Sequence, residues 1–512
     1  MPGGGVRAEL SIRMYRGLLG DFFLVRHTSR QRTYNMLIDC GVLQCIGVKA
    51  KKAATARGAD RIKAGVVDLI NDTGGRLDLV VATHQHYDHL SGFILANEAF
   101  KDIRIDKVWM AWTEDRKDDL ANSYREKKNQ ALAALTALSR NQALAAMPGM
   151  ETVTNLLQFY GPDDSPRGGA LAVAGAGDDG DGDKLSGNAS CEKVLEWLRL
   201  RAGPGNVDFL RPGDAKEWGL RGAFRAYVLG PPRSDKALRH LDPSKGEQRE
   251  VYLASGEDIE TASALAEIHG DGHAGERPED QPFTRPHWRP YGANGVKTTA
   301  TERRRLLKDP IVRLYRRKGA SSRGIDDSWL GSAENLALKI DGDVNNTSLA
   351  LALTLPDDRV LLFPADAQVG NWLSWSDQTY PINDDKNAPR LKIDDLLART
   401  VVYKVGHHAS HNATLRERGL ELMSDPRLCA MIPVVEETAR EQKTKSVKDG
   451  WAMPYDKLYT ELKKRTKARI VRGDGVPAAE KRAFAGSKDV EVRYGPPYEA
   501  RDPLWVELVL KA

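Results

Sequence analysis

Thr83-His84-Gln85-His86-Tyr87-Asp88-His89-Leu90-Ser91-Gly92 places three imidazoles and a carboxylate within six residues, directly after the run Leu77 to Ala82. Imidazole and carboxylate bind divalent transition metals without redox chemistry, so this spacing points to a metal site, with a polar loop lacking metal as the alternative. The run before it is apolar apart from Asp78 and predicts a short strand buried on both faces. The ligands then fall at the strand's C-terminal end, where layered α/β folds favour binding sites.

Upstream, Glu9 to Tyr15, Asp21 to His27 and Tyr34 to Cys40 alternate polar and apolar residues and predict an antiparallel meander. The third of these strands ends in Leu37-Ile38-Asp39-Cys40-Gly41, with a carboxylate at its tip. A helix is expected over residues 59 to 71, with Ile62, Val66, Leu69 and Ile70 on one face. Downstream, Ser91 onward reads as helix, Lys107 to Thr113 as strand, and Asp118 to Met147 as helix broken at Pro148-Gly149. Residues 174 to 188 are a low-complexity linker whose acidic repeat lacks the glutamate a calcium loop needs at its twelfth position. A helix from Glu192 to Arg201 leads to strands at Val207 to Leu210 and Phe224 to Leu229. Pro231 to Asp327, rich in charge, Gly and Pro, reads as an insertion. Strands are expected at Leu336 to Ile340, Leu349 to Leu355 and Val360 to Phe363, a helix end and strand across Leu396 to Val405, and a last strand at Trp505 to Leu510.

The chain has 512 residues and no stretch approaching the roughly 20 apolar residues that cross a bilayer, which argues against a membrane partner. Its N-terminus lacks the basic start and apolar centre of a secretory signal, so a cytoplasmic location is expected. Four cysteines without a paired framework fit a reducing compartment. Lys and Arg number 76 against 71 acids, a net charge of +5, and the densest positive stretch runs from Arg303 to Arg323. Within it Arg304, Arg305, Arg316 and Arg317 are candidate contacts to nucleic acid. The alternative is a solvated helix face, since Leu306, Leu307, Ile311 and Leu314 give the segment an amphipathic pattern.

Five landmarks in this order resemble the metallo-β-lactamase fold, and more closely its soluble hydrolase branch related to the C-terminal domain of the ComEC/Rec2 competence proteins. They are Leu37-Ile38-Asp39-Cys40-Gly41, the histidine stretch from Thr83 to His89, Asn345-Asn346-Thr347-Ser348-Leu349, Phe363-Pro364-Ala365-Asp366, and Val401 to Val405 followed by Gly406-His407-His408-Ala409-Ser410. The resemblance covers roughly residues 8 to 115, 190 to 232 and 336 to 475. It implies an α/β (α+β) architecture, an αββα sandwich with the metal at one sheet edge. One hydrolase domain would then span residues 1–475, interrupted at about 116–190 and 233–335, with a C-terminal strand appendage at 476–512. Three departures stand out: Asn345 and Asn346 where many members outside this branch have a histidine for the first metal, Ala409 for a glycine, and Met453-Pro454 for a His-Pro pair.

Carried over residue by residue, the resemblance implies two divalent ions, zinc first and manganese as the alternative. His84 and His86 would hold one, Asp88, His89 and His407 the other, with Asp366 bridging; which histidine of the pair His407-His408 is the ligand stays open, His407 being the one nearer the strand end. A carboxylate bridge keeps two cations about 4 Å apart, where they clamp the attacking and leaving oxygens of a phosphodiester. Metal binding lowers the pKa of water from about 15.7 toward about 7, roughly 12 kcal/mol, which makes hydroxide available at neutral pH. The catalytic roles fall to Asp88 and to His408, the latter as proton donor to the leaving group. Asp39 would accept a hydrogen bond from a ligand imidazole and fix its tautomer, and Asn345, Ser348 and Ser410 would support the ligands around them.

The expected function is therefore a metal-dependent hydrolase, a phosphodiesterase or nuclease acting on nucleic acid or another phosphodiester. Two alternatives remain: the same chemistry on a lactam, lactone or thioester carbonyl, and a metal-binding regulatory protein without catalysis.

Overall fold

The computed structural model describes residues 9–43, 52–140, 150–160, 185, 190–220, 224–239, 304–305, 308, 310, 330–382, 389–443, 448–499 and 502–511. Two large sheets and their covering helices make a mixed α/β fold. In the eight-stranded sheet, Glu9–Tyr15, Phe22–Thr28 and Thr33–Cys40 pair antiparallel, and Leu79–Ala82, Val108–Ala111 and Val207–Leu210 extend it in parallel. Every residue of Leu79–Ala82 is buried, as a parallel strand covered on both faces should be. The seven-stranded sheet runs in the order Ile470–Arg472, Cys429–Ile432, Thr400–Lys404, Val360–Phe363, Ala350–Thr354, Arg225–Gly230, Ala215–Glu217.

Strand alternation divides the side chains of each sheet between two cores. Ile12, Met14, Phe23, Val25 and Ile38 of the first sheet share an apolar cluster with Val228, Leu351, Leu353, Leu361 and Phe363 of the second. Phe23 and Phe363 meet edge to face across it, with ring centroids 5.7 Å apart. The other face of the first sheet, through Leu24, Leu37 and Val80, packs on Ile62 and Val66 of helix Lys52–Thr73 and Leu198 of helix Cys191–Ala202. The other face of the second, through Ala352, Leu362 and Tyr403, is covered by Leu135 of helix Asp119–Arg140, Val153 of helix Met150–Leu157, and Leu336 and Ile340. The layers are thus helices, sheet, sheet, helices. Each fully buried Leu, Ile, Val or Phe adds about 1.5–3 kcal/mol, which makes the shared core the main stabilising term.

Two expectations are corrected. Leu336 to Ile340 is not a strand but part of helix Leu330–Asn346, because Leu336, Ile340 and Val344 recur at helical spacing and bury one stripe. The closing strand Trp505–Leu510 is no appendage: it pairs along its length with Glu9–Tyr15 inside the first sheet, and Val490–Tyr494 forms the edge beyond it. The linker at 174 to 188 lies outside the described residues apart from Leu185. No helix among the described residues is long and apolar enough to cross a membrane.

Several loops meet where strands of both sheets end, and Gly41 sits at a crowded point among them. Its N–H donates to the Asp21 carbonyl at 2.8 Å, while the Asp21 N–H donates to the Asp88 carbonyl at 3.0 Å. A β-carbon on Gly41 would lie 2.1 Å from the carbonyl carbon and oxygen of Asp88. Backbone atoms cannot swing aside as side chains do. Gly41→Ala is therefore expected to destabilise the protein by about 3 kcal/mol, as overpacking does, measured by urea denaturation.

Candidate metal centre

The candidate ligands all follow C-terminal strand ends. His84 and His86 follow Leu79–Ala82, with Asp88 and His89 opening helix Tyr87–Leu95; Asp366 follows Val360–Phe363, and His407 and His408 follow Thr400–Lys404. The backbone there is strained. Five of the eight described non-glycine residues with left-handed φ are Asp39, Ala365, His407, His408 and Ala409. Such angles cost about 1–3 kcal/mol each and persist where the surroundings enforce them, as at binding sites.

Hydrogen bonds show which nitrogen of each ring is already engaged and which faces the other candidate ligands. His89 gives its Nδ1 proton to Asp39 Oδ2 at 2.7 Å, turning Nε2 toward Asp366 Oδ2 at 3.2 Å and Asp88 Oδ2 at 4.0 Å. His408 gives its Nδ1 proton to the Pro433 carbonyl at 2.9 Å and turns Nε2 toward Asp88 Oδ2 at 3.0 Å and Asp366 Oδ2 at 3.6 Å. Two imidazole nitrogens and two carboxylate oxygens thus converge. Oδ1 of Asp88 is buried without a hydrogen-bond partner.

Asp21, His89, Asp366 and His408, all buried, offer ligand atoms within 4.8 Å of one another, a cluster that could hold a metal ion. Asp21 approaches the Nδ1 edges of both rings, 3.7 Å from His89 and 3.9 Å from His408. Those edges already have partners, whereas the Nε2 edges face Asp88 and Asp366. The firmest partner of Asp21 is the ammonium of Lys404, which also reaches Asp366 Oδ1 at 3.3 Å and the Ala365 carbonyl at 2.9 Å.

The electrostatics follow from packing Asp21, Asp39, Asp88 and Asp366 around one ammonium. Burial disfavours the charged form of His89, but Asp366, Asp21, Asp39 and Asp88 hold its pKa well above the ordinary value. His408 is raised in the same way, chiefly by Asp366 and Asp88 against burial. Burial would raise Asp366, yet His89, Lys404 and His408 hold it well below the usual carboxylate range. Burial lowers His84 strongly and pushes His86 down to about 4, so both are neutral and able to donate a lone pair.

His84 and His86 form a second pair. Nε2 of His84 lies 3.2 Å from Nδ1 of His86, while Nε2 of His86 is buried without a hydrogen-bond partner, 3.6 Å from Asp341 Oδ1. Burial, then Asp88 and Asp366, push Asp341 up to about 8.

Within the double histidine, the preference for His407 gives way to the alternative. His408 enters the cluster, not His407, because the left-handed turn at His407, His408 and Ala409 sends the second ring inward. His407 is half-buried, and its Nδ1 donates to Ser410 Oγ at 2.9 Å, since Ser410 spends its own proton on Asn412 Oδ1. Asp39 contacts His89 and also accepts from the Thr83 N–H and hydroxyl. Ser348 Oγ accepts from the Asp366 N–H at 3.2 Å. Asn345 is buried with its Oδ1 lacking a hydrogen-bond partner, and no contact ties it to a candidate ligand. Arg304 and Arg305 are exposed, whereas Arg316 and Arg317 lie outside the described residues.

Sequence reading missed Asp21, Lys404 and Asp341. Asp21 follows Gly20 at a strand start, a signal too slight to separate it from a turn residue. Lys404 reads as an ordinary strand lysine until its burial is seen. A cavity of about 420 Å³ lies on the Gln85 side of the loop, lined by Lys128, Lys339 and Ile340 among others, and no candidate ligand lines it. Compared with known proteins, the chain matches no family model and no curated protein.

The two histidines should separate on substitution. His408→Ala is expected to lower the bound-metal content of purified protein, and His407→Ala to leave it unchanged, as measured by elemental analysis.

Proposed function

We propose that the protein is a metal-dependent phosphodiesterase of the metallo-β-lactamase type. The observation that carries this reading is the convergence of His89 Nε2, His408 Nε2, Asp88 Oδ2 and Asp366 Oδ2, beside the facing nitrogens of His84 and His86. Two adjacent groups of donors suit two ions. The order of layers, helices outside two sheets that share a core, supports the family reading. So does the position of every ligand at a C-terminal strand end.

Bound divalent ions would acidify water and polarise the scissile phosphorus–oxygen bond, so no side-chain nucleophile is required. The remaining residues set that chemistry up. Asp39 fixes the tautomer of His89, and the Pro433 carbonyl that of His408. Lys404 and the His407 N–H hold Asp366 through its Oδ1, leaving Oδ2 for the cluster. His408 is occupied by Asp88, so the proton-donor role first expected of it is not kept, and the proton-transfer role open to His407 is that of acceptor. Burial lowers the pKa of His407, which keeps it neutral, and with Nδ1 donating to Ser410 its Nε2 is the atom suited to accept a proton.

The test is an assay of bis(p-nitrophenyl) phosphate and single-stranded DNA with Mn²⁺ or Zn²⁺, alongside elemental analysis. Wild type is expected to hydrolyse at least one of them, and Asp88→Ala to lose about 100-fold or more in kcat/KM. Metal-loaded protein that cleaves no phosphodiester would sink the reading. Turnover of esters alone by the same preparation would assign the carbonyl alternative.

A further inference from the structure

The cavity beside Gln85 is lined by none of the candidate ligands, and its walls combine positive charge with apolar surface. We propose that it is a binding site for an organic phosphate monoester, a phosphate carried on an apolar body of the size of a nucleoside, held by Lys128 and Arg125. The proposal concerns a second site and requires no ion at the metal centre.

Helical spacing builds two of its walls. Tyr124 and Lys128, four residues apart, lie on one face of helix Asp119–Arg140. Leu336, Ile340 and Val344 of helix Leu330–Asn346 form the apolar side. The volume, about 420 Å³, falls within the range of roughly 300–1,000 Å³ that small-molecule sites occupy, most of which pair apolar walls with a few fixed polar groups. A single small molecule fits such a space, whereas a nucleic-acid strand needs an open groove that tracks its backbone.

The charge points to an anion. Five lysine and arginine side chains line the cavity against two carboxylates, and one of these, Glu114, has Arg199 at 3.8 Å. The hydrogen bonds of Lys128 and Arg125 go to neutral oxygens. Lys128 donates to Gln85 Oε1, and Arg125 to Asn122 Oδ1 at 2.6 Å and the Thr113 carbonyl at 3.2 Å. Their charge is therefore not cancelled by those contacts. Burial lowers the pKa of Lys128 while Glu114 and Glu192 oppose that effect, so a bound anion would act in the same sense as the glutamates.

The pair of cations selects phosphate over a single carboxylate. A phosphate monoester carries close to two negative charges at neutral pH and three acceptor oxygens, which suit an ammonium and a guanidinium together. The apolar wall then separates an organic ester from inorganic phosphate, since only the ester has a body to bury against it.

The test is isothermal titration of full-length protein with adenosine 5′-monophosphate, adenosine and inorganic phosphate as probes. Wild type is expected to bind one equivalent of the monophosphate, and each of the other two about 10-fold or more weakly. Lys128→Met, which keeps the length of the side chain without its charge, should weaken the monophosphate about 10- to 100-fold, and Lys128→Arg should stay near wild type. Gln130→Glu adds a negative charge at an exposed lining position that folding tolerates, and should weaken it about threefold or more. Folded Asp88→Ala should bind it as wild type does. No saturable binding by wild type would overturn the proposal, as would Lys128→Met and Gln130→Glu variants that match wild type. Equal affinity for adenosine would overturn the role of the phosphate, and equal affinity for inorganic phosphate that of the apolar wall. Loss of binding in Asp88→Ala alone would place the phosphate at the metal centre and overturn the second site.

Discussion

Four buried carboxylates, Asp21, Asp39, Asp88 and Asp366, share a few ångströms with one buried ammonium, Lys404. Negative charge cannot be buried at that density without compensation, since isolated ions in a low-dielectric interior are disfavoured by several kcal/mol each. Lys404 neutralises one charge and is itself held protonated against burial by Asp21 and Asp366. The remaining excess explains why His89 and His408 are drawn toward the charged form although both are buried. A site that holds its imidazoles charged by surplus carboxylate is one where a divalent cation can replace those protons, which ties the electrostatics to the proposed chemistry.

The two sheets supply the rigidity that makes such a cluster tolerable. Their common core fixes the strand ends, and loops from both sheets reach the same point, so the cluster cannot relax by moving one element alone. Left-handed φ angles at Asp39, Ala365, His407, His408 and Ala409 mark where the chain is bent to bring the groups together. The glycines follow from the same crowding: Gly41 and Gly20 each lie against the Asp88 backbone, where a β-carbon has no room.

Much of the fold was legible because strand and helix periodicities are local properties. The meander, the parallel strand before the ligand loop and Val360 to Phe363 read directly from alternation and apolar runs. Leu336 to Ile340 misled because five residues of mixed apolar character fit a strand as well as a helix, and only the longer spacing through Val344 settles the matter. The closing strand misled for another reason. Its pairing with Glu9–Tyr15 joins the two ends of the chain, and no local pattern records a contact across nearly 500 residues.

The sequence by itself determined which side chains are present to bind a metal, and that they cluster after strand ends: spacing within a loop is a local fact, written in consecutive residues. Tertiary structure decided which nitrogen of each ring faces the cluster, because that depends on hydrogen-bond partners remote in the chain. His408 Nε2 meets Asp88 across 320 residues, and His89 finds Asp39 50 residues upstream. It also decided between His407 and His408, through a turn whose backbone angles no residue pattern announces. It brought Asp21, Lys404 and Asp341 to the ligands as well, since burial and charge density exist only once separate strands and a helix are packed around one point.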